Sequence, residues 1–264
     1  MHDCLAPPCD APLTPDWVAP LTGLLGAALC VLGWRHGQGC RFARKRAGLP
    51  GVDPLKMRRH DAFNLLALAL LVAMNIPMAG SFFGLLPRSS LPVSGALFIQ
   101  LFFGYVTLDL LWVWAEPEAV PQPAVVLVHH VVTLLLTRVP LLEPRVAVPS
   151  SCLSVVELET LLLVGQRHWA PWLLNSGPAG AAAARCLNLA YWLSFFAIRL
   201  ALHPYVAMFV IPNLGLGFAD AVLSQTLTVV LVLFNLALFA KNVQTALAPA
   251  KAGVALSPRG QAPC

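Results

Sequence analysis

The sequence AVVLVHHVVTLLLTRVPLL, from Ala124 to Leu142, is apolar except for two histidines, two threonines and one arginine. A hydrocarbon core roughly 30 Å thick is crossed by a helix of about 20 mostly apolar residues. The stretch therefore predicts one membrane crossing that carries ionisable side chains within it.

Six further stretches have the same apolar character and length: Trp17–Trp34, Ala62–Phe83, Val93–Trp114, Val148–Val164, Ala181–Leu202 and Ala219–Ala240. The whole chain of 264 residues is 58% hydrophobic and 11% charged, with a mean hydropathy of +0.74. A soluble domain has about 25% charged residues, so the composition excludes an ordinary soluble enzyme. It also excludes a disordered chain, which is poor in apolar residues.

The predicted fold is all-α: a polytopic bundle of about seven transmembrane helices with short loops. One further apolar segment, Pro204–Gly217, contains Pro212, Gly215 and Gly217, which break helices. We expect a re-entrant piece or a long lead-in to the last helix there.

Basic residues set the expected orientation, because cytosolic loops carry an excess of Lys and Arg. Residues 35–60 hold eight of the 17 basic residues, whereas residues 1–16 hold none and carry three aspartates. We predict a lumenal or extracellular tail over 1–16, a first, uncleaved transmembrane helix over 17–34 and a basic cytosolic loop over 35–60. A transmembrane domain over 61–242 and a cytosolic tail over 243–264 follow.

The basic loop is expected to contact anionic lipid headgroups. No folded basic module accompanies it, so no nucleic-acid partner is predicted. Membrane lipids are the expected partners.

Ionisable side chains inside a span cost about 2.5–3.5 kcal/mol each and usually face the bundle interior as pairs or functional groups. Six positions stand out: Asp109, His129, His130, Arg138, Glu157 and Arg199. Glu159 and Asp220 are weaker examples of the same kind.

Tyr105, Asp109 and Trp112 follow the spacing i, i+4 and i+7, so they share one helix face and predict the wall of a polar pocket. An aspartate satisfied only by interhelical hydrogen bonds is the alternative.

His129 and His130 lie about 100° apart on their helix, so both imidazoles can border one cavity. Thr133 is i+4 from His129 and i+3 from His130. Histidine is suited to proton transfer near neutral pH, although packed, hydrogen-bonded histidines are the alternative. A metal site is the other interpretation of the pair, but no zinc-binding motif of H-E-x-x-H type accompanies it and the carboxylates lie on other helices, so no metal site is predicted.

Glu157 and Glu159 lie about 200° apart on their helix and therefore point to different sides. Thr160 shares the Glu157 face, which makes Glu157 the better candidate for the interior. Glu159 is expected to pair with another helix or to lie nearer the membrane interface.

A polar and aromatic stripe marks the sixth span at i, i+3, i+4, i+7 and i+11: Asn188, Tyr191, Trp192, Phe195 and Arg199. An uncompensated buried charge is costly, so Arg199 is expected to neutralise one of the carboxylates. The sequence leaves open which one.

Four segments, in order, are similar to the TLC-domain family, which includes the ceramide synthases and TRAM-type translocon-associated proteins. They are Gly104–Trp112 (GYVTLDLLW), His129–Leu134 (HHVVTL), Val156–Thr160 (VELET) and Phe195–Arg199 (FFAIR). The resemblance covers about residues 60–242. It implies a ring of six helices around a lipid cavity and a place in the endoplasmic reticulum, with the plasma membrane as the alternative.

In the ceramide synthases, the double histidine and two aspartates of the next polar helix are associated with N-acylation of a sphingoid base by acyl-CoA. Here the histidines match, Glu157 lies about where the first aspartate would be, and Thr160 occupies the second position. The predicted catalytic residues are His129, His130, Glu157 and Asp109. The predicted substrate-binding residues are Tyr105, Trp112, Thr133, Thr160, Tyr191 and Arg199.

Three functions follow as hypotheses. The first is an acyltransferase with the histidine pair as general base, no resident cofactor, and acyl-CoA and a sphingoid base as substrates. The second is a non-catalytic protein that binds or senses lipids in the same cavity, which the threonine at position 160 favours. The third is a seven-span receptor or a transporter; helix count alone supports it, and no lysine falls within a span.

Overall fold

The computed structural model of the chain describes residues 51–252, and it describes side chains as far as Ala240 and at Gln244. The predicted first helix Trp17–Trp34, most of the basic loop and both chain ends lie outside these residues. Within residues 51–252 every regular element is helical and no strand is present. The helices are α1 (Pro54–Phe82), α2 (Gly95–Ala115), α3 (Pro123–Leu142), α4 (Ala147–Ser154), α5 (Val156–Leu174), α6 (Gly177–Ser194) and α7 (Phe218–Ala252).

Six helical segments of this region are long and apolar enough to cross a membrane. They are α1, α2, α3, the α4–α5 pair with its preceding turn (Pro144–Leu174), α6 with its extension (Gly177–Asn213), and α7 as far as Ala240. The prediction of an all-helical, multi-pass membrane protein is therefore confirmed. The count of seven stays a prediction, because the first span lies outside the described residues.

The fourth crossing is broken, although its sequence predicts one uninterrupted span. α4 ends at Ser154 and α5 begins at Val156, so the axis is interrupted at Val155. The Asn75 amide of α1 donates to Ser154 Oγ at 3.0 Å, and that hydroxyl donates to the Ser151 carbonyl at 2.7 Å. Hydrogen bonds from side chains thus satisfy polar groups next to the break. This matters within a bilayer, because no water is present there to bond to them.

The fifth crossing continues well past its predicted end at Leu202. Wide π-helical turns cover Phe195–Leu202 and Val206–Val210, with one α-helical turn at His203–Tyr205 between them and a 3₁₀ turn at Ile211–Asn213 after them. Proline lacks the N–H that a regular helix needs, and π adjustments re-satisfy carbonyls near such a residue. The segment after Pro204 is therefore helical as far as Asn213, and the chain leaves the helix only at Leu214–Gly217.

The six crossings form a closed ring through their packing contacts. Around the ring, α1 packs on α2, α2 on α3, α3 on α7, α7 on the extension of α6, α6 on α5, and α5 on α1. α4 also packs on α1 and α2. The main apolar core lies between α1 and α2 and includes Phe63, Leu68, Met78 and Phe98, all of them almost fully buried.

The ring has two ends, which we name by one residue each. The Pro54 end comprises the start of α1, the α2–α3 loop and the α5–α6 turn; the Gly215 end comprises the α1–α2 loop, the α3–α4 turn and the α6–α7 loop. At the Pro54 end, the Asp53 side chain accepts the backbone N–H of Leu55 at 2.8 Å and so begins α1. Lys56 Nζ donates a hydrogen bond at 2.8 Å to Glu118 Oε2 in the α2–α3 loop. This hydrogen bond holds the pKa of Glu118 below its ordinary value.

The tight α5–α6 turn depends on Gly180. A Cβ atom at this position would contact the Leu173 carbonyl oxygen far too closely, and it would lie 2.9 Å from Ser176 Cβ. We therefore expect Gly180→Ala to destabilise the protein by about 1–3 kcal/mol, as overpacking does. Thermal unfolding of the purified protein in detergent measures this loss.

Gly104→Ala is the matched control, because a Cβ there meets no described heavy atom within 4 Å. Alanine is also the better helix former, so this variant should unfold at or above the temperature of the original protein. Equal unfolding temperatures for the two variants would contradict the close approach at Gly180.

Candidate functional site

A buried cluster of two histidines and one aspartate joins α1, α2 and α3. The Nε2 atoms of His60 and His130 each lie 2.6 Å from a different carboxylate oxygen of Asp109. His60 and Asp109 are both 3% exposed. His130 follows Pro123, the first residue of α3, by seven residues, so at 1.5 Å per residue the cluster lies roughly 10 Å inside the Pro54 end.

The cluster continues into α1 and α2 as a hydrogen-bonded chain. A carboxylate only accepts hydrogen bonds, so both imidazoles donate their Nε2–H to Asp109. The Asn64 amide nitrogen lies 3.3 Å from Nδ1 of His60, and Asn64 Oδ1 accepts from the Tyr105 hydroxyl at 3.0 Å. The chain therefore runs from Tyr105 through Asn64 and His60 to Asp109, where it meets His130.

One ring nitrogen at the end of this series of hydrogen bonds has no hydrogen-bond partner among the described residues. This nitrogen is Nδ1 of His130, and it is buried. When Nε2 carries the proton, Nδ1 carries a lone pair. The cluster thus holds His130 in one orientation through its Nε2–H bond to Asp109.

Aromatic rings shield the cluster from one side. The Trp112 ring lies edge-on to His60 at 5.8 Å between centroids, and Phe63 lies between Trp112 and Tyr105 at 5.3 Å and 6.0 Å. Tyr105 and Trp112, which the sequence predicts as substrate-binding residues, therefore pack around the histidine–aspartate cluster. Neither lines the interior cavity described next.

A cavity of about 60 Å³ lies inside the ring, between the cluster and the Gly215 end. Apolar side chains from α2, α3, the α4–α5 pair, the extension of α6 and α7 form most of its wall, including Ile99, Phe102, Leu136, Leu153, Leu214 and Leu231. The polar wall residues include His129, Thr133, Glu157 and His203. This mixture of apolar wall and few polar groups is typical of a small-molecule site.

His129 is the histidine that faces the cavity. Its ring stacks on Phe234 of α7 at 5.3 Å between centroids, and it lies 5.7 Å from the His130 ring. Nδ1 of His129 is also buried without a partner among the described residues. The two adjacent histidines therefore have different surroundings. His130 bonds to Asp109, and His129 forms part of the cavity wall.

The two glutamates of α5 have different surroundings. Glu157 lines the cavity and forms no ion pair with a described cation. Glu159 accepts from Arg199 Nε at 2.6 Å, and both side chains are buried. The structure therefore pairs Arg199 with Glu159, the choice that the sequence leaves open.

The pair of Glu159 and Arg199 extends to the break between α4 and α5. Arg199 Nη1 donates to Asn235 Oδ1 at 2.8 Å, and the Asn235 amide donates to Nδ1 of His203 at 2.9 Å. His203 Nε2–H then donates to the Leu153 carbonyl at 3.1 Å. Every polar group in this second network has a partner, so it holds α5, the extension of α6 and α7 together.

The remaining predicted residues lie as follows. Thr133 is on the cavity wall and donates to the His129 carbonyl at 2.9 Å. Thr160 is half-buried beside Glu157 and has the Val156 carbonyl 3.4 Å from its hydroxyl. Tyr191 is buried against Trp192 and Phe195. Arg138 pairs with Asp220 at 3.2 Å on the exposed surface.

Sequence reasoning missed His60, Asn64 and His203. The predicted span began at Ala62, which left His60 in the basic loop, although its i+4 spacing to Asn64 was a usable signal of a shared face. No predicted element contains His203, because the sixth span ends at Leu202 and the next apolar segment begins at Pro204. The pair of buried Asp61 and half-buried Arg167, which joins α1 to α5, also lies outside the predicted spans.

No group of three His, Cys, Asp or Glu side chains within the described region is arranged to hold a metal ion. The 2.6 Å contacts of Asp109 are hydrogen bonds between charged or polar groups. The arrangement can hold an oriented imidazole, accept a proton and stabilise positive charge beside an apolar cavity.

Comparisons of this chain with protein-family models, with curated proteins and with solved structures find no match.

Proposed function

We propose that this chain is a TLC-type membrane protein of lipid metabolism that transfers an acyl group from acyl-CoA to the amine of a sphingoid base. One observation carries the proposal: two adjacent histidines lie where an apolar cavity meets a buried carboxylate, with His129 on the cavity wall and His130 bonded to Asp109. The endoplasmic reticulum is the proposed location.

The cavity of about 60 Å³ would hold the amine end of the lipid and its first carbons, because a cavity of about 150 Å³ holds a single benzene ring. Its wall is mostly apolar, and its polar residues are few. A long-chain amine would lie with its nitrogen near His129 and Glu157 and its first carbons among the leucines, and the rest of its hydrocarbon chain would extend beyond this cavity. Glu157 suits this position because it is a buried carboxylate on the cavity wall that forms no ion pair within the described residues.

His129 would act as the general base. As the amine nitrogen attacks the thioester carbonyl, a C–N bond forms and His129 accepts the proton that the nitrogen loses. The C–S bond then breaks, and the proton passes to the departing CoA sulfur. The negative carboxylate of Asp109, which bonds His130, favours the cationic form of the His129 imidazole.

The basic residues at the Pro54 end suit acyl-CoA. Arg58 and Arg59 begin α1 at this end, and the histidine–aspartate cluster lies roughly 10 Å below it. Arg41, Arg44, Lys45 and Arg46 precede them in the sequence. The two arginines near the start of α1 would attract the phosphates of CoA to the same end as the cluster.

The test is mass-spectrometric detection of N-acyl product from labelled sphinganine and acyl-CoA. Membranes of a ceramide-synthase-deficient cell would contain the original protein, the His129→Ala/His130→Ala variant or His168→Ala, at equal levels. His168 packs on Trp169 and lies on neither the cavity wall nor Asp109, so it is the matched control. We expect product from the original protein and the control, and loss of at least about a hundredfold in the double variant.

Lipid binding without turnover is the second candidate, because Thr160 places a hydroxyl where the ceramide synthases carry an acid. In that case no variant yields product, yet a photoactivatable long-chain amine still labels the cavity residues. Product at equal levels from the original protein and the double variant would contradict the role of the histidines.

A further inference from the structure

We infer that His60 is a positioning residue for the histidine pair and acts through Asp109. The inference rests on the proposed acyl transfer for its kinetic readout. No sequence motif marks His60; the packing of α1 against α2 brings it to Asp109.

The geometry assigns His60 one specific task. Asp109 has two carboxylate oxygens, and His60 occupies Oδ1 while His130 occupies Oδ2, each at 2.6 Å. The carboxylate is thereby held from both sides and cannot rotate without breaking a charge-assisted hydrogen bond. His60 thus fixes the oxygen to which His130 binds.

The position of His60 is itself secured. Asn64, one helical turn further along α1, lies 3.3 Å from its ring nitrogens, and Tyr105 holds Asn64 in turn. Trp112 packs edge-on against the ring. These partners lie on α1 and α2, whereas His130 lies on α3, so Asp109 is the link between the two sides.

His60 lies outside the cavity wall. We therefore expect it to affect the rate of the chemical step and not the binding of the lipid. His60→Leu should lower kcat about tenfold or more, because a hydrogen bond to a charged group is lost. KM for the long-chain amine should stay within about twofold.

His60→Gln is the rescue variant. The glutamine amide nitrogen can reach the place of imidazole Nε2 and donate to Asp109, as neutral histidine does. We expect kcat of His60→Gln to recover most of the loss, whereas His168→Leu should leave kcat unchanged. Equal losses in the leucine and glutamine variants, an unchanged kcat in His60→Leu, or a change confined to KM would each overturn the inference.

A second readout does not depend on activity. Thermal unfolding in detergent of His60→Leu, His130→Leu and the double variant forms a double-mutant cycle. If the two histidines are coupled through Asp109, the unfolding temperature of the double variant should fall by clearly less than the sum of the decreases in the two single variants. Additive decreases would overturn the inference. If the original protein forms no N-acyl product, the proposed reaction fails, and this cycle still decides the linkage of His60 to His130.

Discussion

Replacing Asp109 by asparagine is expected to lower the rate of N-acyl product formation at least about a hundredfold. Two imidazole Nε2–H groups now donate to its carboxylate at 2.6 Å each. Asparagine keeps the shape but removes the charge, and its amide places a donor opposite one of the two donating nitrogens. The histidine that turns away loses its orientation, and the cation formed during proton transfer loses its nearest negative charge.

Asp220→Asn is the matched control for this substitution. Asp220 carries the same functional group, pairs with Arg138 at 3.2 Å and lies at the Gly215 end on the exposed surface. Its product rate should match that of the original protein. Rates are compared at equal protein levels, with thermal unfolding in detergent to exclude misfolding. An Asp109→Asn variant that is folded and fully active would contradict the proposed role of the cluster.

Arg199→Met is expected to cost about 3–5 kcal/mol of unfolding free energy, because it leaves a buried carboxylate without its partner. The Glu159 side chain is 2% exposed and that of Arg199 is 9% exposed. The substitution also releases Asn235, which bonds Arg199 at 2.8 Å. Equilibrium unfolding in mixed detergent measures the loss.

Two variants make this prediction specific. Glu159→Gln/Arg199→Met removes both charges, and we expect it to be more stable than Arg199→Met alone. Arg138→Met removes a cation whose side chain is 53% exposed, and an exposed pair contributes about 0–1 kcal/mol. A loss in Arg138→Met as large as that in Arg199→Met would show that burial does not govern these ion pairs.

The positions of the crossings were largely predictable because the thickness of a membrane sets a length that any apolar helix must meet. The predicted spans Ala62–Phe83, Val93–Trp114 and Ala124–Leu142 fall on α1, α2 and α3 within a few residues, except for the early start of α1 at Pro54. Hydropathy fails at that start, because Lys56, Arg58 and His60 are polar yet helical. The Asp53 cap and Pro54 begin the helix there.

The irregular helices were not predictable in the same way. The break at Val155 and the π-helical region after Ser194 lie beside polar partners from other helices, such as Asn75 at Ser154 and Asn235 at His203. A sequence window contains only local neighbours, so it cannot supply these partners. The predicted sixth span ends at Leu202, whereas the helix continues to Asn213.

The candidate site, like the fold, was predictable from the sequence only in part. Helical spacing alone placed Tyr105, Asp109 and Trp112 on one face and separated Glu157 from Glu159. It did not tell which helix each face meets, because the rotation and neighbours of a helix are decided by packing over its whole length. For that reason the sequence did not place His60 in the site. It also did not show that Arg199 pairs with Glu159 and that Glu157 lines the cavity.

The sequence by itself determined that this chain is a helical membrane protein and which side chains are too polar to face lipid. Both properties follow from transfer free energies, which add residue by residue along the chain. Only the tertiary structure decided that His130 bonds to Asp109, that His129 faces the cavity and that His60 completes the cluster. Each of these contacts joins residues on different helices, and close packing of the ring selects one set of partners from the several that helical spacing allows.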